Sequence, residues 1–191
     1  MTPRRFDVRV RLFRWWRSCR SYWPGVIWRL YRFGGMVIPA VDASEHRRVN
    51  AAADGRGSVI AINRRRKELR LYRCEGGSPI LVRSYRVGVG RRTSRTPSGN
   101  FAIQNMLRDP VWHVPDNPWR FGSLAGTAVP PGAPENRILA RWIGFNGGIG
   151  IHGSTPGPFG LGSSGGCVRM SRRDAVEIFD LVDPGTPIVI V

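Results

Sequence analysis

Acidic residues are scarce in this chain. Its 191 residues include 13 Asp and Glu against 30 Lys and Arg, a formal net charge of +17. Cysteine is scarcer still: Cys19, Cys74 and Cys167 are too few and too scattered to build a disulfide framework. Cys and His nowhere fall at zinc-ligand spacing, which argues against a metal site. Long apolar runs are also missing. The longest uncharged stretch, Trp142 to Val168, is full of Gly and Pro and cannot be a membrane-spanning helix. Near the N-terminus, runs such as Pro24–Trp28 are cut by Arg29 and Arg32 before reaching the roughly 7–15 residues of a secretory h-region. What is present excludes the opposite extreme. A hydrophobic content of 41% with seven Trp rules out wholesale disorder, and the length suits one domain of ordinary size with an appendage.

The charge invites a nucleic-acid reading until it is located. Residues 1–50 hold eleven Arg and three acids (Asp7, Asp42 and Glu45), a net of +8, and residues 51–191 hold nineteen Lys and Arg against ten acids, a net of +9. The first quarter also holds nine of the nineteen aromatics. Interleaved Arg and Trp suit a membrane surface, where indole rings favour the headgroup level. They equally suit stacking on single-stranded nucleic acid, or a poorly ordered basic tail. Arg11, Arg14, Arg17 and Arg20 recur every third residue and would line a helix that Pro24 ends. His46, among arginines, reads as solvated. Residues 51–57, small and glycine-containing, read as a linker, which leaves 58–191 as the folded domain.

That domain reads as strands. Ser58–Asn63 is apolar and β-branched, Arg64–Lys67 is a charged turn facing water, and Glu68–Arg73 alternates with period two. Gly76-Gly77 is a second turn. Ile80–Val82, Tyr85–Val89, Phe101–Ile103, Trp142-Ile143 and Ile188–Val191 supply further short strands. The expected fold is mainly β, a sandwich or barrel with one short helix after Cys167. That helix follows Ser171-Arg-Arg-Asp174, which has capping-box spacing, and Asp183-Pro184-Gly185 stops it. Residues 105–140 form a long Pro- and Gly-rich stretch, of the kind that is either functional or disordered.

The chemistry converges on Cys167. It lies in Ser163-Ser-Gly-Gly-Cys-Val-Arg-Met170, directly before the capped helix. Glycines on its N-terminal side let backbone amides approach a reacting carbonyl as an oxyanion hole. Arg169 and the helix N-terminus favour the thiolate, the nucleophilic form. Fifteen residues upstream, His152 ends a strand in Gly150-Ile-His-Gly153, and a cysteine nucleophile needs a base within hydrogen-bond reach. Cys74, inside a strand pattern, reads as a small buried hydrophobe. His113 reads as a packed or solvated loop residue.

Ile151-His-Gly-Ser154 followed by Ser164-Gly-Gly-Cys-Val-Arg-Met170 resembles the signature of the YkuD-type L,D-transpeptidases. Ile62-Asn63 to Leu71-Tyr72 resembles that family's opening hairpin. Val87–Gly90 with Thr96–Phe101, and Asn136–Trp142, resemble two further segments in the right order, so the likeness spans residues 58–191. It implies that Cys167 is the nucleophile and His152 its base, the imidazole being oriented by the carbonyl of Gly153. It implies an oxyanion hole from the amides of Gly166 and Cys167. Arg169 is implied to shape the site or bind a substrate carboxylate, and Ser164 to brace the loop and take part in substrate binding. Two positions depart from the pattern: Gly165 stands where many members carry His, and Arg137 where proline is common.

The reaction so implied is acyl transfer on peptidoglycan stem peptides without any cofactor. Cys167 attacks the L-centre carbonyl of the third residue, D-alanine leaves, and an amine resolves the thioester as a 3→3 cross-link or a protein attachment. Water as acceptor makes the protein an L,D-carboxypeptidase. The competing reading is a non-catalytic module that holds an anionic wall polymer or nucleic acid through its arginines, with steep salt dependence. The implied substrate places the protein in the bacterial cell envelope, outside the cytoplasmic membrane, although no signal peptide is legible. The cationic balance then fits an anionic wall and membrane surface better than nucleic acid.

Overall fold

Period-two alternation around a charged turn produces a hairpin. In the computed structural model β3 (Gly57–Asn63) pairs antiparallel with β4 (Glu68–Glu75), closing at Asn63 and Glu68. The structure describes residues 32–33, 36–37, 43–54, 57–155, 159 and 162–191. The chain divides into two units, Met1–Val41 and Asp42–Val191. In the first, β1 (Arg32–Phe33) and β2 (Met36–Val37) form a short antiparallel pair. Cys19, the arginine repeat of residues 11–20 and most of the Arg/Trp-rich segment lie outside the described residues.

The second unit is built on two larger sheets, and it also holds a short parallel pair, β6 (Val89–Gly90) with β13 (Gly162–Ser164). One larger sheet has the order β5 (Ser78–Arg86), β4, β3, β15 (Pro187–Ile190), β7 (Gly99–Ala102), with β15 parallel to β3. The other has the order β14 (Val168–Ser171), β12 (Ile149–Ser154), β11 (Leu139–Asn146), β8 (Asn105–Arg108), with β14 parallel to β12. Their facing residues share one core. Ile60, Ile62, Leu69 and Leu71 from the first meet Ile143, Phe145, Ile151 and Met170 from the second. Fully burying one such side chain stabilises the fold by about 1.5–3 kcal/mol. The chain is mainly β, as expected. The turn at Gly76-Gly77 is seen with φ of +60° and +79°, a conformation that only glycine adopts readily.

The helix after Cys167 spans Arg172–Phe179, and its cap is as the spacing predicts: the Asp174 amide donates to Ser171 Oγ at 3.0 Å. Ala175, Ile178 and Phe179 bury its inner face in the shared core.

Three features depart from the sequence reading. First, α1 (Ala43–Ala52) runs across the expected boundary between a tail ending at 50 and a linker at 51–57. It packs against β3 and β15 with Glu45 and Val49 buried. Tyr72 Oη donates to Glu45 Oε1 at 2.6 Å, and Arg70, 2% exposed, pairs with both Glu45 and Glu68. Arg70 lies on the polar side of the alternating strand; the helix covers that face and the carboxylates of Glu45 and Glu68 neutralise the charge. His46 likewise is half-buried, edge-on to Tyr72. Second, Arg64 is not a solvated turn residue. It folds back, donating to the carbonyls of Val191 at 3.2 Å and Thr96 at 2.9 Å. Third, the 105–140 stretch is ordered. It holds β8, β9 (Trp112–His113), α2 (Pro118–Phe121), a single 3-10 turn at Gly122–Leu124, and β10 (Ala128–Val129). Asn136, buried, pins it: Nδ2 lies 3.0–3.2 Å from the carbonyls of Pro110, Val129 and Pro130, and Oδ1 accepts from the Ile138 amide.

Candidate active site

The parallel pairing of β12 with β14 sets His152 beside Arg169 and Ile151 beside Val168, so Cys167 arrives at the strand end next to the histidine. Both line one cavity of about 790 Å³ between the second sheet and the 105–140 loop, a volume typical of small-ligand pockets. His152 is buried. Its Nδ1 lies 2.8 Å from the Gly153 carbonyl, an acceptor, so the ring proton sits on Nδ1 and Nε2 keeps its lone pair. The Trp142 ring stacks on the imidazole with centroids 6.0 Å apart, and Trp142 Nε1 is itself held by Asn105 Oδ1 at 2.9 Å. Gly150 and Gly153 permit this packing. A β-carbon at 150 would lie 2.7 Å from the Trp142 ring, and one at 153 would lie 2.2 Å from the Leu139 carbonyl.

Burial sets the protonation of the pair. It pushes the His152 pKa down to about 4, helped by the Arg169 charge and opposed by the Gly153 hydrogen bond. Burial also pushes the Cys167 thiol up, against a hydrogen bond from the Gly150 main chain and the Arg120 charge. The resting site is therefore a neutral thiol beside a neutral imidazole. The cation acting on Cys167 is Arg120, whereas the expected one, Arg169, acts on His152.

Side-chain hydroxyls hold the cysteine loop. Ser164 Oγ donates to the Cys167 carbonyl at 2.5 Å and accepts from the Gly166 amide at 3.2 Å. It thus braces the loop from within rather than offering its hydroxyl to a ligand. The Gly166 amide, expected in an oxyanion hole, is engaged by Ser164 in this arrangement. Thr96, 1% exposed, donates to the Gly166 carbonyl at 2.8 Å and accepts from the Gly90 amide at 2.9 Å. Gly90 is needed there, since a β-carbon would meet the Ser94 carbonyl at 2.2 Å. Arg169 lines the cavity, and its main chain exchanges hydrogen bonds with Gly88 at 2.7 and 2.8 Å.

Of the remaining candidates, Cys74 is buried in β4, and His113 is exposed on β9 at the cavity wall. Sequence reasoning passed over Arg120, Trp142 and Thr96 as site residues. For Arg120 a signal existed. Asn117-Pro118 is a helix start, with the Asn117 side chain accepting from the Arg120 amide at 3.1 Å and Pro at the first helical position.

Residues 57–190 match the L,D-transpeptidase catalytic domain family YkuD. The chain belongs to that family. Among relatives, it is 32% identical over 133 residues to a putative L,D-transpeptidase YkuD of Bacillus licheniformis, covering 69% of this chain and 64% of the other. The chain spans about three-fifths of the length of the curated relatives it matches. An L,D-transpeptidase from Mycobacterium smegmatis shares the fold, with a TM-score of 0.53, 18% identity, and coverage of 70% of this chain and 58% of that one. So does an LD transpeptidase, LdtMt1, solved in complex with imipenem, with a TM-score of 0.51, 19% identity, and coverage of 70% and 58%.

Proposed function

We propose that this protein is a peptidoglycan L,D-transpeptidase that works through a Cys167 thioester. The observation that carries the reading is one cavity holding Cys167 beside a histidine whose Nδ1 proton is fixed on the Gly153 carbonyl. Family membership supports stem peptides of the bacterial wall as the substrate class, and action in the cell envelope with them.

The steps follow from the resting protonation. His152 Nε2 takes the thiol proton as Sγ attacks the carbonyl of the third stem residue. The carbonyl oxygen, now an oxyanion, accepts from the amides of Cys167 and Gly166. The 3.2 Å bond from Gly166 to Ser164 is a weak neutral one, and a charge-assisted bond to the oxyanion is roughly twice as strong, so the exchange is favourable. The C–N bond then breaks, and the leaving D-alanine amine takes the proton from the imidazolium. An incoming side-chain amine loses a proton to Nε2, attacks the thioester and regenerates the thiol, leaving a 3→3 cross-link or an attached protein. Water in place of the amine gives the carboxypeptidase product.

A carbapenem tests the reading, since LdtMt1 was solved in complex with imipenem. Intact mass of the protein after incubation should rise by one carbapenem, with the adduct mapped to Cys167. Folded protein that stays unmodified sinks the proposal. Cys167→Ala should abolish tetrapeptide turnover, and His152→Ala should lower kcat by about 10²–10⁴-fold. Turnover surviving Cys167→Ala means that the nucleophile is misassigned. Product masses separate cross-linking from hydrolysis.

A further inference from the structure

The 105–140 loop delivers two arginines to the cavity that holds Cys167. Arg120 on α2 and Arg137 before β11 both line it, and both approach the Phe121 ring, with guanidinium carbons 5.1 and 5.7 Å from its centroid. Arg137 also lies 5.5 Å from the Trp112 ring. Arg120 reaches over the cysteine loop. Its Nη1 lies 2.7 Å from where a β-carbon on Gly165 would be, so the space that a side chain at 165 would enter is occupied by a cation.

Among the described residues the ion pairs join Arg70 to Glu45 and Glu68, Arg83 to Glu177, and Arg108 to Asp180. None reaches Arg91, Arg120 or Arg137, although Glu135 also lines the cavity. Burial holds the Arg120 guanidinium below its ordinary pKa, and the nearby charges of Arg91 and Arg137 add to this; a Cys167 thiolate opposes it. Like charges left unpaired in a partly desolvated cavity repel one another, and a bound anion relieves that repulsion. Planar guanidinium groups held against aromatic rings suit a carboxylate, which they can grip with paired hydrogen bonds.

We propose that Arg120 and Arg137 form a carboxylate subsite beside Cys167, which selects acyl donors bearing a free carboxylate next to the amide to be broken. In the acyl-transfer reading, on which this rests, that group is the terminal carboxylate of the departing D-amino acid. The glycine at 165 then has a specific consequence, because it leaves Arg120 room to reach the leaving-group side of the thiol.

Two alkylating agents of similar shape and opposite demand test the subsite without a peptide substrate. Iodoacetate is a carboxylate and iodoacetamide is its neutral counterpart, and peptide mass mapping distinguishes Cys167 from Cys19 and Cys74. Arg120→Gln and Arg137→Gln should each lower the ratio of the iodoacetate to the iodoacetamide rate at Cys167, Arg120→Gln by roughly tenfold, the loss of one charge-assisted contact. Gly165→Ala should lower the ratio without removing a charge, by displacing Arg120; residue 165 is not among those with positive φ, so alanine fits its backbone. Arg65→Gln, in the exposed hairpin turn, should leave the ratio unchanged. A ratio unaffected by Arg120→Gln overturns the subsite. A parallel fall with both reagents overturns it too, because Arg120 then only tunes the thiol.

With tetrapeptides, the free acid should have a lower KM than the C-terminal amide, and Arg120→Gln should raise the KM of the free acid alone. Equal effects on both peptides contradict the subsite. Turnover independent of Cys167 would defeat the acyl-transfer reading, while the alkylation ratio still decides the subsite.

Discussion

At the scale of single residues, burial decides the chemistry of the His152–Cys167 pair. A histidine held neutral to about pH 4 remains a competent base over the whole neutral range, and a thiol raised by burial waits for that base. The same burial makes stability depend on pH. The folded pKa of His152 lies below the ordinary histidine value, so between roughly pH 6.5 and 4 the unfolded chain binds the extra proton. This contribution to stability is full above pH 6.5 and is lost as the pH falls towards 4, by about 2–3 kcal/mol. Urea unfolding of wild type and His152→Gln at pH 7.5 and 4.5 measures it. The wild type should lose that much more between the two pH values than the variant does.

At the scale of elements, the cysteine loop is held by a neighbour far away in sequence. Thr96, just before β7, binds Gly166 and Gly90 at once, so the Val87–Gly90 and Thr96–Phe101 segments serve as struts of the loop. Thr96→Val keeps the shape and leaves the Gly166 carbonyl and the Gly90 amide without this partner. Urea unfolding should show a cost of about 1–3 kcal/mol. Carbapenem adduct formation should slow as well, since the loop that carries Cys167 loses a brace. An unchanged adduct rate would mean that Ser164 and Ser94, whose Oγ donates to the Gly165 carbonyl at 2.8 Å, suffice to hold it. The hairpins and the capped helix were legible in the sequence because their signals are local: alternation, paired glycines, and Ser171 spaced three residues from Asp174. Helix α1 was not legible. Its sequence is rich in charge, and what orders it is the sheet beneath it, where Glu45 meets Arg70 and Tyr72.

At the scale of the whole molecule, the compact unit begins at Asp42, whereas the family match begins at residue 57. Deleting residues 1–41 should leave thermal stability unchanged. Deleting 1–50 removes Glu45 and Val49, exposes Arg70 without one of its carboxylates, and should lower Tm by roughly 5–10 °C for a loss of about 2–3 kcal/mol. Differential scanning fluorimetry of the two truncations decides between the boundaries. Membrane fractionation of the 1–41 deletion tests the Arg/Trp-rich segment; if the protein still pellets with membranes, that segment is not the anchor. Among the described residues, no helix is long and apolar enough to cross a membrane.

What the sequence by itself determined was the β class, the helix after Cys167, the family, and the pair of residues on which the proposed chemistry turns. These rest on short-range patterns and on motifs that keep their His and Cys despite the departures at Gly165 and Arg137. What only the tertiary structure decided was the electrostatics. It placed Arg169 against the histidine, set Arg120 over Gly165 beside the thiol, buried Arg70 beneath a helix, and engaged the Gly166 amide with Ser164. Charge acts through space and burial through surroundings, and neither is written in the spacing of residues along the chain. The scarcity of acids thus has a local meaning: among the described residues, no carboxylate is ion-paired with Arg120 or Arg137 in the cavity.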